Sequence, residues 1–462
     1  MAVDTDLPSL SSSPAHLPKR VAVIGGGPAG LIAARELLTH GRFEQVTVYE
    51  RRSDLGGIWN VTLENGGDLD LKAERKRPDA SATSSAYPQL HTNTPFNTIE
   101  LRDFPIPTDA DIFPTAAVVQ GYLRDFAQSR GVYERIRFSA VVQSVTWNTH
   151  TQDWTLVSNE NGGQVASRYD GVVVANGHYS LPYIPPISGA ESFKGRLLHS
   201  RDFRFVEEFV GKNVVVVGSG SSALDLTRIL AAHAKHIAVS IRDSRHWDSE
   251  NVADLVACKA YPVTRHVPVK RFTEQDAEFE DGEWVRNVDV VIFATGYLYD
   301  FPFLRRGPLS DHGTQLSDPD QEYRDLIGGG DGEVVVNLWK KAFYAWNPTL
   351  AFVGLPLYIN SFPFFEFQGT LIAKAWSGAA PSLAWPTSLE EVQAAEDEEA
   401  KKTGAVDRFD GKSMVWSGKP QFEYQDELTR TLGIWETRRE RLKVYEDPGA
   451  LWALRNRLIF GA

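Results

Sequence analysis

A single cysteine, Cys258, leaves the chain without an internal disulfide and without the paired redox cysteines of a dithiol–disulfide oxidoreductase. A reducing, cytoplasmic setting is expected. No apolar run approaches the roughly 20 residues needed to cross a bilayer. Near the end, Ala450-Leu451-Trp452-Ala453-Leu454 is cut by Arg455 and Arg457, which predicts a packed or amphipathic helix and no membrane association. The first nineteen residues lack the apolar core of a signal peptide and, rich in Ser and Pro, read as a mobile tail. Positive charge is in deficit: 48 Lys and Arg stand against 60 Asp and Glu, a formal net charge of −12. General attraction to nucleic acid or anionic lipid is thereby excluded, and phosphate recognition must come from local sites. No short-period repeat is present, and no metal is expected.

What is there has an ordinary globular balance, 42% apolar and 23% charged over 462 residues, enough for two or three domains. Val21-Ala22-Val23-Ile24 runs into Gly25-Gly26-Gly27-Pro28-Ala29-Gly30, Leu31 to Leu38 follows with helical spacing, and Val46-Thr47-Val48-Tyr49 ends in Glu50. The same grammar recurs in Val214-Val215-Val216-Val217, then Gly218-Ser219-Gly220-Ser221-Ser222-Ala223, a helix through Leu230, and Ile237-Ala238-Val239-Ser240. Between them, Ala140 to Val145 and Trp154 to Val157 predict a hairpin leading to a buried strand, Val172 to Ala175. Its counterpart, Val288 to Ala294, runs into Thr295-Gly296-Tyr297, and Leu350 to Gly354 suits a return to the first domain. The expected fold is α/β with two Rossmann-like domains. A tail covers 1–19, a discontinuous first domain covers 20–200 and 305–462, and the inserted second domain covers 201–304. The charge run Glu390 to Lys402 reads as a solvated helix face.

In the first turn Gly25 permits the tight bend, Gly27 lets the backbone approach a pyrophosphate, and Gly30 lets the helix pack on the strand. The helix N-terminus adds unpaired N–H groups and a positive dipole end. Glu50, twenty residues beyond Gly30, would accept both ribose hydroxyls and repel a 2′-phosphate, so this turn should hold FAD. The second turn has Ala223 in the third glycine place, and its second strand ends in Ser240-Ile241-Arg242 with no carboxylate until Asp243. A hydroxyl and a guanidinium there favour NADPH over NADH.

Between the two turns, Phe193-Lys194-Gly195-Arg196-Leu197-Leu198-His199-Ser200-Arg201-Asp202-Phe203 resembles the FxGxxxHxxx(Y/F) fingerprint of the flavin-containing monooxygenases. Leu55-Gly56-Gly57-Ile58-Trp59, Leu90-His91-Thr92-Asn93-Thr94 with Asp103-Phe104-Pro105, and Ala294 to Tyr297 are further matches, and the resemblance spans roughly Arg20 to Gly369. It looks like the soluble microbial or fungal members. The resemblance implies that NADPH reduces FAD, that the reduced flavin takes up O2 as a C4a-hydroperoxide, and that bound NADP⁺ shields this adduct. It further implies oxygenation of a nucleophilic heteroatom, nitrogen first, in a small organic or natural-product substrate. The alternatives are S-oxygenation, Baeyer–Villiger oxidation of a ketone, and uncoupled NADPH oxidation.

By the same resemblance Asn93 is the catalytic residue, an amide beside flavin and NADP⁺. Further FAD contacts are expected from Pro28, Ala29, Arg51, Gly57, Trp59, His91, Thr92, Val142 and Gln368, with an interdomain hydrogen bond as the alternative for Gln368. NADPH contacts are expected from Gly218, Ser219, Gly220, Ser221, Ser222, Ser240, Arg242, Thr295 and Gly296. His199 would shape the linker. Trp59, Tyr358, Phe362, Phe364, Phe365 and Phe367 are candidates for the cavity wall, with core packing as the alternative. Phe203 stands where Baeyer–Villiger enzymes carry Trp, which favours heteroatom chemistry, and Ser221 would leave a wide mouth. A homodimer is compatible with all of this.

Overall fold

The computed structural model describes residues 16–64, 67–69, 83–242, 262–304, 326–328, 332–437 and 448–460, so Cys258 and Asp243 lie outside the described residues. Strand Arg20–Ile24 lies between parallel neighbours Gln45–Tyr49 and Gly171–Val174 in a seven-stranded sheet. Residues 21 to 24 are buried whichever face they point to. Both faces of a parallel sheet are covered, hence the continuous apolar run in place of alternation. Val21 and Val23 pack towards helices Pro28–His40, Ala116–Ser129 and Ser361–Trp376. Ala22 and Ile24 pack with Trp154, Leu156 and Tyr169 of an antiparallel meander, Ala140–Asn148, Asp153–Glu160 and Gly163–Tyr169. The third strand of that meander is almost wholly exposed, so its polar sequence gave no alternation to read. Leu350–Phe352 pairs in parallel with Gly171–Val174 and returns the chain to the first sheet.

The second sheet runs Val263–His266, His236–Ser240, Asn213–Val217, Val290–Phe293, Arg196–His199, all parallel. Val214 and Val216 face helix Ser221–Ala231, while Val215 and Val217 face Phe272 and Phe279 of a small three-stranded antiparallel sheet. Strand Arg196–His199 lies on the first-domain side of the expected boundary at 200, yet it hydrogen-bonds along the edge of this second sheet. Leu197 and Leu198 are buried on its two faces, which ties the heart of the fingerprint to the second module. The two crossings between modules pair with each other, Leu181–Pro182 antiparallel to Tyr297–Leu298.

Helix Ser361–Trp376 crosses Pro28–His40 closely at Gly369, where a Cβ would stand 2.9 Å from Glu36 Cγ and 3.1 Å from Ala33 Cα. Buried beside this crossing, Arg35 pairs with Glu366 and with Glu36 at 2.9 Å, and Thr370 Oγ1 donates to Glu36 at 2.7 Å. Helix Leu389–Lys402, expected as a solvated face, buries one of its charges. Glu396 accepts the N–H groups of Asn337 (2.9 Å) and Leu338 (3.1 Å) and meets Lys341 Nζ at 3.3 Å, both partners 1% exposed. A turn with orphan amides needed an acceptor, and the charge run supplied it.

Candidate functional site: two nucleotide turns and the strip between them

The two glycine turns begin alike and differ at the third glycine place, where Gly30 stands in the first and Ala223 in the second. Gly25 (φ 113°) donates its N–H to Tyr49 O at 2.8 Å, and Gly218 (φ 132°) donates to Ser240 O at 3.0 Å. A Cβ would lie 2.4 Å from Ala175 O at the first and 2.3 Å from Ala294 O at the second, so only glycine fits either place. Gly27 and Gly220 head helices that no side chain caps. Their first-turn N–H groups and positive dipole ends are left for an anionic group. The space is there too. A Cβ on Gly27 would meet only Gly57, its Cα at 3.3 Å, and one on Gly220 only the Tyr358 hydroxyl at 4.0 Å. The residues present therefore fit two dinucleotide phosphates.

Glu50 is 5% exposed at the end of its strand; one carboxylate oxygen accepts the Gly26 N–H at 2.7 Å and the other the Arg52 N–H at 2.9 Å. Each oxygen keeps a further lone pair for a ribose hydroxyl. Arg52, which sequence reasoning passed over in favour of half-buried Arg51, donates Nη1 to Gly57 O (2.9 Å) and Asn60 O (2.8 Å). It thereby holds the turn Gly57–Trp59 against Gly27. Trp59 is half-buried on the first core. Val142 sits at a bulge of the meander's first strand, and that strand is tied to Glu50 by the Ala140 N–H to Glu50 O bond of 2.9 Å.

At the second turn the Ser240 hydroxyl is not presented outward. It is buried, accepts the Val269 N–H at 3.0 Å and donates to Val267 O at 3.4 Å, because the turn after the edge strand needs those partners. Arg242, two residues further on, is exposed. Ser219, Ser221 and Ser222 are half-buried along the helix start. Thr295 Oγ1 donates to Tyr183 O, and Gly296 O accepts the Tyr183 N–H at 2.9 Å, so this pair pins the crossing between modules.

The strip from Gly354 to Tyr358 touches both turns. A Cβ on Gly354 would stand 3.4 Å from Ala29 Cβ, and Tyr358, exposed with φ 56°, reaches towards Gly220. Asn93 is exposed and carries no hydrogen bond among the described residues. Thr92 is buried with its hydroxyl unpartnered among them, an orphan that a ligand would satisfy. His91 Nδ1 bonds Phe113 O at 2.8 Å.

Gln368 does not face this space. It is fully buried, its Oε1 accepts the Gly354 N–H at 2.9 Å and its Nε2 donates to Lys341 O at 3.1 Å. Both ends of the amide are spent on the backbone, so it steadies the Gly354 turn. Phe362, Phe364, Phe365 and Phe367 belong to the first core, and Tyr358 alone of that cluster is exposed. Phe203 is likewise fully buried, between Tyr87 and Phe209.

Two histidines near the crossing are held neutral. Burial pulls His178, in ring contact with Tyr179 and Tyr299, down to about 4. His199 is fully buried; burial first and then the neighbouring Arg201 cation pull it down to about 3, and its Nδ1 accepts the Arg201 N–H at 3.1 Å. That is a turn-capping task. The folded value lies below the unfolded one of about 6.5. Stability owed to neutral His199 is thus present above pH 6.5 and falls, by about 1.4 kcal/mol per pH unit, as pH drops from there towards 3. His199→Asn keeps an acceptor for Arg201 and loses the titration. Its melting temperature should depend less on pH across that window than the parent's, which thermal unfolding at stepped pH would check.

Two buried arginines carry structure that no motif announced. Arg204 bonds the carbonyls of Ser84 (2.6 Å), Arg201 (2.7 Å), Phe203 (2.7 Å) and Glu64 (3.2 Å), stitching the fingerprint to the segment after the first turn. Arg455, from the last helix, reaches the segment beside Asn93.

The model of the family described as flavin-binding monooxygenase-like matches residues 18–264 and 250–315. A flavin-containing monooxygenase of Arabidopsis thaliana, GS-OX-like 4, is 32% identical over 457 residues, 96% of this chain and 93% of that protein. GS-OX-like 2 from the same plant is 32% identical over 89% of this chain and 84% of its own. These are plant proteins, where the sequence suggested a microbial or fungal type. The structure of S-allyl-L-cysteine S-oxygenase from Allium sativum superposes with a TM-score of 0.75 at 28% identity, covering 95% of this chain and 93% of that one. Cyclohexanone monooxygenase from Rhodococcus sp. Phi1, solved with NADP⁺, shares the fold, with a TM-score of 0.61 at 15% identity over 90% of this chain and 98% of its own. The chain belongs to the flavin-binding monooxygenase family and is an FAD- and NADPH-dependent monooxygenase.

Proposed function

We propose that FAD lies on the first turn with its ribose at Glu50, that NADPH lies on the second with its 2′-phosphate at Arg242, and that the enzyme oxygenates the sulfur of a small thioether. In this reading the first sheet with its helices is the FAD module and the second the NADPH module. The observation that carries the choice of sulfur is the likeness to the Allium sativum S-oxygenase along 95% of this chain. Sulfur takes the place that sequence reasoning gave to nitrogen.

When bound, the flavin accepts two electrons from NADPH and activates O2; the sum is thioether + O2 + NADPH + H⁺ → sulfoxide + NADP⁺ + H2O. The chain's part is to bind, orient and exclude water. Glu50 and the two uncapped helix ends set the nucleotides, and Gln368 holds Gly354 beside Ala29. Asn93 offers a donor and an acceptor that do not titrate. A sulfur lone pair needs no general base. That agrees with the crossing nearby, whose histidines, His178 and His199, are pulled by burial to about 4 and about 3, too low to take up a proton at neutral pH.

The test is product analysis by the holoenzyme with an S-alkyl cysteine, a tertiary amine and a cyclic ketone. We expect sulfoxide formed in step with NADPH consumed, and a kcat/KM for the amine lower by about tenfold or more. A dominant N-oxide returns the function to nitrogen, a lactone to Baeyer–Villiger chemistry, and NADPH loss without oxygenated product to an oxidase.

A further inference from the structure

Arg455 lies on the helix Pro448–Phe460, in the part of the chain where the motifs had run out. It is 1% exposed. Its guanidinium grips Asp225 with two bonds, Nη1 to Oδ1 at 2.7 Å and Nη2 to Oδ2 at 2.9 Å. The same group donates Nε to Thr92 O at 2.8 Å and Nη2 to His91 O at 3.3 Å. Asp225, itself buried, also accepts the Tyr87 hydroxyl at 2.9 Å. Asp225 stands one turn into the helix that Gly220 heads, and Thr92 immediately precedes Asn93. One planar fork thus joins the helix of the second nucleotide turn to the carbonyls that aim Asn93.

We infer that Arg455 is a positioning residue, a clamp that sets Asn93 against the second nucleotide turn and so keeps NADPH oxidation coupled to oxygenation. The chemistry suits arginine alone. Its fork matches a carboxylate with two bonds while an edge remains for carbonyls, and lysine presents a point charge that cannot span all three. Arg455→Lys keeps the charge and hence the fold's balance, but it gives up the geometry. Asp225→Asn keeps the shape and gives up the charge pairing.

The inference rests on the proposed role of Asn93, and the two can fail separately. Arg455→Lys and Asp225→Asn are purified with flavin and compared with the parent per bound FAD. The fraction of NADPH electrons released as hydrogen peroxide should rise severalfold in both. NADP⁺ affinity, read by equilibrium titration, should fall by about tenfold or less, and hydrogen exchange in the peptide spanning 91–97 should quicken. The double variant should lose no more than the worse single one, because the two side chains act as a unit. Parental coupling and parental exchange in Arg455→Lys would overturn the clamp. So would loss of flavin with unaltered coupling in the molecules that keep it, since that is a stability effect alone. If Asn93→Ser retains full coupling while Arg455→Lys loses it, the role of Asn93 is refuted and the clamp stands through Asp225.

Discussion

Gly30→Ala is expected to leave no folded, yellow protein, whereas Gly27→Ala should fold and emerge colourless. The two glycines sit three residues apart in one turn, and their added methyl groups meet different things. At Gly30 a Cβ would lie 1.9 Å from Gly25 O, and 3.4 Å from Val23 Cγ1. Gly25 cannot retreat. Its own Cα faces the Ala175 carbonyl, its N–H is bonded to Tyr49 O, and its φ of 113° is closed to other residues. The helix would have to lift off the sheet, exposing Leu31 and Ala34, both fully buried. A cost above roughly 4–5 kcal/mol belongs to such backbone collisions, a large part of the roughly 5–15 kcal/mol that holds a domain folded. At Gly27 the neighbours are Gly57 Cα at 3.3 Å and Gly57 N at 3.7 Å, close but tolerable, and the rest of the space is open, where the proposed function seats the pyrophosphate. Circular dichroism melts and the flavin absorbance of the purified variants separate the outcomes. A Gly30→Ala protein with parental melting, or a Gly27→Ala protein with full flavin, contradicts the assignment of these turns.

The same contrast explains what could be read in advance. Both sheets were legible because buried parallel strands are continuous apolar runs and because each ends in a turn only glycine can make. The return of Leu350–Phe352 to the first sheet was legible for the same reason. The exposed strand Gly163–Tyr169 was not, since its residues answer to water. Side-chain roles were read least well where a polar group had two possible clients. Ser240 and Gln368 stand where a cofactor contact was expected, and backbone amides and carbonyls claimed them first. Arg455 and Asp225 are 230 positions apart, and no local pattern links them. A buried guanidinium between an acidic helix face and two carbonyls is a property of the folded chain.

Arg35→Met should destabilise the fold by about 3–5 kcal/mol at pH 8, the usual result of leaving buried charge unpaired, and the deficit should shrink as the pH is lowered. Met keeps much of the apolar stem that packs beside Phe126. What goes is the cation shared by Glu366 and Glu36 and standing 3.6 Å from Asp103. Burial already raises Glu366 to about 7, with Arg35 pulling the other way. Without Arg35 its value climbs further. A carboxyl with a folded value above its unfolded one, about 4.3, adds stability that is complete below the unfolded value and lost as pH rises through the folded one. Removing the cation therefore hurts most where Glu366 would otherwise be ionised, and protonation near pH 5 relieves it. Melting temperatures of parent and variant from pH 5 to 8 check the sign; a deficit independent of pH sinks the account. The effect should also reach the flavin. Glu366 and Gln368 share a helix, and Gln368 holds Gly354 beside Ala29 at the head of the first nucleotide helix. Slackening that helix loosens the support of the turn, so flavin release on warming should begin earlier in the variant at pH 8 than at pH 5.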